Sequence, residues 1–141
     1  MKLLRTCVVA GSISLLAGCA TGLNSIQKQE YAQMEADGVL VKEKNPTTGA
    51  VLGLLPGGGS FYAGEVGLGV VNLLLWPASI LWDPVSGYDG AQSDNYYVTK
   101  SQLKKQKAAE LSDLDYQLSI EQISEKDYAY KKRKLEEKYS Y

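Results

Sequence analysis

Residues 53–65 read GLLPGGGSFYAGE, a glycine-rich stretch that lies between two apolar runs. Such a stretch can cradle a phosphate, close a hairpin of two apolar limbs, or form an ordinary loop. From Asn45 to Trp82 the chain carries a single charge, Glu65. The fold therefore depends on what shields this almost uncharged segment from water.

The glycine pattern does not predict a nucleotide site. A P-loop needs Lys followed by Ser or Thr after its last glycine, and a dinucleotide-binding loop needs three glycines at fixed offsets. In GGGSFYAGE the third of those glycines would fall on Tyr62. The nearest charge is Glu65, which repels phosphate.

The second apolar run favours a membrane-associated limb. Residues 66–82, VGLGVVNLLLWPASILW, carry no charge. As a helix this run would reach about 25 Å, against a hydrocarbon core of about 30 Å. Trp76 and Trp82 suit a membrane interface, whereas Pro77 would kink or end a helix. The limb before the turn is shorter, because only residues 47–55 read as helix before Pro56.

The glycines predict close packing and a bend. Gly49, Gly53 and Gly57 recur at every fourth residue, which would expose bare backbone to a second helix. We therefore predict an apolar, glycine-rich helical hairpin over residues 45–83. Its turn is predicted to consist of Gly57, Gly58, Gly59, Phe61, Tyr62 and Gly64. The alternative is that this stretch forms the buried core of a small soluble domain.

The order GLLPGGGSFYAGE, GLG and an apolar run ending in SILWD resembles the two-transmembrane-helix hairpin family over residues 47–83. The turn of that family carries a glycine-rich Phe-Tyr-x-Gly motif, and here the matching residues are Phe61, Tyr62, Ala63 and Gly64. Ser60 stands where a basic or imidazole side chain often precedes the aromatic pair. The resemblance implies a membrane hairpin.

The N-terminus, MKLLRTCVVAGSISLLAGCA, has the layout of a bacterial secretory signal peptide: two basic residues, an apolar stretch and small residues. The four residues that end at Cys19 resemble the lipobox of bacterial lipoproteins. We predict a signal peptide over residues 1–18, cleavage between Gly18 and Cys19, and acylation of Cys19. Cys7 lies in the removed segment.

Composition then excludes several classes of function. Cleavage removes Lys2 and Arg5, which leaves 13 basic side chains (15 minus 2) against 16 acidic ones. A mature chain with a side-chain charge of about −3 argues against nucleic-acid binding. The chain has no histidine, so the commonest general base and metal ligand are missing. We predict no catalytic residue, no metal site and no cofactor; an enzyme would need a cleft lined by carboxylates such as Asp83 and Glu65.

The remaining segments differ in composition. Residues 19–44 are predicted to form a lipidated tether. Within it, Ser25 could cap a short polar helix that ends at Gly38, and residues 39–44 form a short strand or a linker. Residues 84–100 read as a turn-rich linker. Residues 101–141 read as two helices joined near residues 120–124, the second capped by Ser124 with Asp127 at the third position.

The C-terminal stretch LDYQLSIEQISEKDYAYKKRKL loosely resembles the SHOCT short C-terminal domain, a small helical hairpin. Ile123, Tyr128, Lys132 and Leu135 occupy its pattern positions. Where that family usually has a glycine before the isoleucine, this chain has Glu121 and Gln122. The resemblance implies an oligomerisation or docking module over residues 101–141.

Taken together, the sequence predicts a mainly α protein of the bacterial cell envelope. It would bind membrane lipid through acylated Cys19, face the periplasm, and serve as a structural or partner-docking component. Ala20 after the cysteine favours the outer membrane, whereas a true transmembrane helix would favour the inner one. The alternative function is a lipoprotein whose soluble central core binds a small apolar ligand or supports envelope assembly.

Overall fold

The structure, a computed structural model, describes residues 22–141. Over these residues it is mainly helical and has no strand, which confirms the predicted mainly α class. The helices described are α1 (Ser25–Ala36), α2 (Pro46–Leu52), α3 (Gly58–Ala63), α4 (Val66–Leu74), a 3₁₀ helix (Ala78–Leu81), α5 (Asp83–Ser119) and α6 (Glu125–Lys138). The predicted signal peptide, Gly18, Cys19 and Ala20 lie outside the described residues.

The chain divides into two compact units. Over the described residues, the first unit is formed by residues 22–29 and Lys42–Asn95, and the second by Glu30–Val41 and Tyr96–Tyr141. The first unit therefore contains the glycine-rich segment, and the second contains the charged C-terminal helices.

The residue that caps helix α1 lies one position before the Ser25 that the sequence predicts. The side chain of Asn24, not Ser25, accepts hydrogen bonds from the backbone N–H groups of Ile26 and Gln27, both at 3.0 Å. Gln27 Oε1 in turn accepts from the Asn24 N–H at 3.0 Å, a reciprocal capping box. The predicted stop at Gly38 is confirmed: its φ is +71°, which glycine adopts at little cost.

Residues 39–45 are a linker, so the alternative of a short strand is wrong. Side chains of α5 bind the backbone of this linker. The Asn95 amide accepts from the Lys44 N–H at 2.9 Å and donates to the Lys44 carbonyl at 2.7 Å. In the second unit, the Val41 N–H donates to Thr99 Oγ1 at 3.0 Å.

The two apolar runs form shorter helices than predicted. Helix α2 ends at Leu52, and residues 66–82 are divided between the nine-residue α4 and the 3₁₀ helix. The interruption coincides with Pro77, which has no N–H to donate and follows a cis peptide bond. In the part of the chain that the structure describes, no helix combines the length and hydropathy needed to cross a membrane.

The prediction of a turn-rich linker over residues 84–100 is wrong, because these residues lie in α5, a helix of 37 residues. Pro84 fits its first turn, where no intrahelical N–H partner is required. Gly87 and Gly90 let other backbone and side-chain atoms approach the helix closely. Tertiary packing therefore overrides the low helix propensity of this segment.

The C-terminal helices are joined as the sequence predicts, by residues 120–124. Ser124 Oγ accepts from the Asp127 N–H at 3.2 Å, which confirms the predicted cap. Glu110 accepts from Lys138 and Asp115 accepts from Tyr128, both at 2.7 Å. Because the earlier residue of α5 contacts the later residue of α6, the two helices are antiparallel. In the joining loop Glu121 has a φ of +58°, a conformation that favours glycine.

Candidate functional site

The glycine-rich segment brings backbones into direct contact within the first unit. A Cβ atom on Gly49 would lie 2.2 Å from the Gly87 carbonyl oxygen, and one on Gly53 would lie 2.3 Å from the Pro84 nitrogen. Any side chain at either position would therefore overlap the start of α5. The predicted close approach is present at all three glycines. The start of α5 approaches Gly49 and Gly53, and the second apolar limb approaches Gly57, where a Cβ atom would lie 2.2 Å from the Gly69 carbonyl oxygen.

The predicted turn contains a helix of its own. Gly57 and Gly64 adopt left-handed conformations, with φ of +70° and +85°, and between them lies α3. Gly58, Gly59, Phe61 and Tyr62 are thus helical, which corrects the prediction that they form a hairpin turn. The helix forms because Asp83, which lies outside the glycine-rich stretch, accepts hydrogen bonds from its N–H groups.

Asp83 caps α3 from a distant position in the chain. Its side chain is fully buried and accepts from the N–H groups of Gly59 at 3.1 Å and Ser60 at 3.0 Å. The N-cap residue, Gly57, has no side chain to do this. Carboxylates stabilise a helix N-terminus by accepting from its unpaired N–H groups and by complementing its positive end.

Three further side chains complete a largely buried polar network around this carboxylate. Ser60 Oγ donates to Asp83 at 2.6 Å, and Asn72 Nδ2 donates to the same oxygen at 2.8 Å. Trp82 Nε1 donates to Asn72 Oδ1 at 2.8 Å. We call Ser60, Asn72, Trp82 and Asp83 the Asp83 network. It joins α3, α4 and the start of α5, and it gives a buried charge several donors without a cation.

The two aromatic residues of the glycine-rich motif, Phe61 and Tyr62, make different contacts. The Phe61 ring lies over Gly69, where a Cβ atom would meet it at 2.5 Å. The Tyr62 hydroxyl accepts from the Asn45 N–H at 2.8 Å, and Lys44 Nζ lies 5.9 Å from the Tyr62 ring centroid. These contacts orient both rings within the first unit.

The first unit buries small and polar residues and exposes large apolar ones. In its described part, the only buried residue with a large apolar side chain is Leu23. The other buried residues are Gly49, Gly53, Gly57, Gly59, Ser60, Ala63, Gly69, Asn72, Ser79, Asp83, Gly87, Ala91 and Asn95. This is the reverse of the usual arrangement in water-soluble domains.

The exposed apolar residues of the first unit form a set that we call the outer apolar set. Leu81 is 83 % exposed, Leu74 is 77 % exposed and Trp76 is 50 % exposed. The full set is Ile26, Val51, Leu54, Leu55, Phe61, Val66, Val70, Leu73, Leu74, Leu75, Trp76, Leu81, Trp82, Val85 and Tyr88. Single exposed leucines are common on soluble proteins, whereas so many exposed large apolar side chains in one small unit are unusual.

Glu65, the one charge of residues 45–82, lines a cavity of about 80 Å³ with Asp89 and Asp94. Its Oε2 atom is buried and, among the described residues, has no hydrogen-bond partner. Burial raises the pKa of Glu65, and the charges of Asp94 and Asp83 raise it further. Over residues 22–141 no three Asp, Glu, His or Cys side chains are grouped so as to hold a metal ion. Asp83 is fully buried and does not line this cavity.

The second unit is held by polar contacts of a different kind. Glu30 accepts from the Tyr96 hydroxyl at 2.6 Å and from Lys100 Nζ at 2.9 Å. The hydrogen bond from Tyr96, followed by that from Lys100, lowers the pKa of Glu30. Burial, together with Glu30, raises the pKa of Tyr96 to about 12. These pairs stabilise the charged form of Glu30 across the neutral pH range.

Comparison of the chain with protein-family models, with curated proteins and with solved structures finds no match.

The Asp83 network was not predicted from the sequence, although each member leaves a signal. Asn72 is the only amide in the run of residues 66–82, and Asp83 is the first charge after that run. A polar side chain inside an apolar run is costly unless it is hydrogen-bonded. Asn72 therefore needs hydrogen-bond partners, and it finds them in Ser60 and Asp83.

Proposed function

We propose that this protein is a lipoprotein of the bacterial cell envelope that acts as a structural or partner-docking component without catalysis. Acylated Cys19 anchors the chain, the glycine-rich segment of residues 45–83 lies in or on the membrane, and the second unit faces the periplasm. There the antiparallel helix pair of residues 101–141 binds a protein partner or a second copy. Ala20 favours the outer membrane as its location.

The outer apolar set is the observation that carries the membrane part of this proposal. Water-soluble domains bury leucine, valine and tryptophan, and full burial of one such side chain contributes about 1.5–3 kcal/mol. In lipid, helices associate through small residues and interior hydrogen bonds instead. The first unit buries glycines and the Asp83 network and exposes its leucines, which matches the arrangement of helices in lipid.

A soluble core with a small apolar ligand is less well supported. Such a core needs an interior lined by large apolar side chains. The buried residues of the described first unit are mostly Gly, Ser, Ala and Asn, and the cavity beside Glu65 is lined by acidic and small residues. An interior of this kind offers an apolar molecule few favourable contacts.

Acylation of Cys19 is the first expected result. Metabolic labelling with an alkyne fatty acid, followed by capture of the protein, is expected to mark the wild type and to leave Cys19→Ala unlabelled, because only a cysteine at the cleavage site can carry the thioether-linked lipid. Cys7→Ala is the matched control and is expected to label like the wild type, since Cys7 lies in the removed segment. Equal labelling of wild type and Cys19→Ala would contradict the anchor.

A further inference from the structure

A groove of about 250 Å³ lies in the second unit, apart from the glycine-rich segment. It is lined by Lys100, Leu103, Lys104, Lys107, Tyr139 and Tyr141. The first four are spaced at i, i+3, i+4 and i+7 along α5, so they share one helix face. The two tyrosines come from the residues that follow α6.

The charge at this groove is positive and partly uncompensated. Between Asp94 and Glu110 the chain carries four lysines and no carboxylate. Lys100 is paired with Glu30 at 2.9 Å. The ion pairs of residues 22–141 include neither Lys104 nor Lys107. Two ammonium groups are therefore available to an anion at the groove.

Hydrogen bonds fix the aromatic side of the groove. The Tyr139 hydroxyl donates to Glu110 Oε1 and the Tyr141 hydroxyl donates to Asp37 Oδ2, both at 2.7 Å. Glu110 is also bound by Lys138, so its charge is already compensated. With their hydroxyls engaged, the two tyrosines present ring surface beside Leu103 and form the apolar part of the lining.

We propose that this groove binds a phosphate-bearing group, either free phosphate or the phosphate of a lipid headgroup. The cations of the lining are all lysines, and a lysine ammonium group is a compact point charge with three donors that commonly binds phosphate oxygens. The volume of the groove is below the roughly 300–1,000 Å³ that is typical of pockets for larger ligands. It therefore suits one phosphate with a short carbon body against the tyrosine rings.

The test uses the mature lipoprotein in a non-ionic, phosphate-free detergent. Isothermal calorimetry measures binding of inorganic phosphate and, separately, of dihexanoyl phosphatidylglycerol. Saturable binding of at least one of them is expected. The double variant K104Q/K107Q is expected to weaken that binding at least about tenfold, because it removes two charged donors. The matched double variant K105Q/K126Q removes the same charge outside the groove and is expected to weaken it less than about twofold.

The outcomes separate the sources and the mechanism. Binding of both ligands, or of phosphate alone, identifies the phosphate group itself as the ligand, and binding of the lipid alone identifies a headgroup. The proposal is overturned if neither ligand binds, or if the two double variants weaken binding equally, which would indicate diffuse attraction to a basic helix. Far-UV circular dichroism checks that all variants keep the helical content of the wild type.

Discussion

Replacing Asp83 by alanine is expected to destabilise the first unit by roughly 3–5 kcal/mol. The substitution removes the acceptor of four hydrogen bonds, from two N–H groups of α3, the Ser60 hydroxyl and the Asn72 amide. Each of these donors lies in a buried site and would lose this acceptor, although the Asn72 amide keeps its bond to Ser60 Oγ at 2.9 Å. The loss of one buried group that serves several others costs more than a single hydrogen bond.

Thermal unfolding of the mature protein in detergent measures this effect. Near-ultraviolet circular dichroism is suited to it, because Trp82 belongs to the Asp83 network and reports its loss. Asp89→Ala is the matched control: it removes an acid from the same helix that does not belong to the Asp83 network, and a change within about 0.5–1 kcal/mol is expected. If the two variants unfold at the same temperature, the network does not stabilise the fold.

A methyl group at Gly87 is expected to destabilise the protein by about 2–4 kcal/mol. The Cβ atom of Gly87→Ala would lie 2.3 Å from the Gly49 carbonyl oxygen and 2.8 Å from the Gly59 Cα atom. Both neighbours are backbone atoms and cannot rotate away, so two helices would have to separate. That separation would also loosen the hydrogen bonds to Asp83.

The control for this variant is Gly67→Ala, which lies in α4 with no atom within 4 Å of the new Cβ. Alanine there is expected to stabilise the protein by about 0.5–1 kcal/mol, because it restricts the unfolded chain and favours helix. Chemical denaturation of both variants gives the comparison. Shifts of the same sign and size would show that the glycines are not required for close approach.

Local signals in the sequence predicted the features that depend on a few neighbouring residues. Gly38 ends α1, Ser124 caps α6, and residues 120–124 join the C-terminal helices, because caps and stops need only the residues beside them. The four-residue spacing of Gly49 and Gly53 predicted a bare surface for close packing. It could not identify α5 as the partner, since that contact joins residues more than thirty positions apart.

Features that depend on distant contacts were missed. Gly87, Gly90 and the surrounding polar residues read as turns, yet they form the first part of α5 because other backbones pack against the bare positions. Gly57 to Gly64 read as a turn, yet α3 forms there because Asp83 supplies the cap that its own N-terminus lacks. Propensity fails at both places for one physical reason: tertiary hydrogen bonds and close packing outweigh it.

Lipid contact of the outer apolar set is tested most directly by tryptophan fluorescence. The chain has two tryptophans, Trp76 and Trp82, and both belong to the outer apolar set, with exposed fractions of 50 % and 40 %. A chain that begins at Ala20, and so lacks the acyl anchor, is mixed with vesicles whose acyl chains carry bromine as a quencher. We expect the tryptophan emission to shift to shorter wavelength and to be quenched. An unchanged emission from a chain that stays monomeric in buffer would contradict the proposed membrane contact.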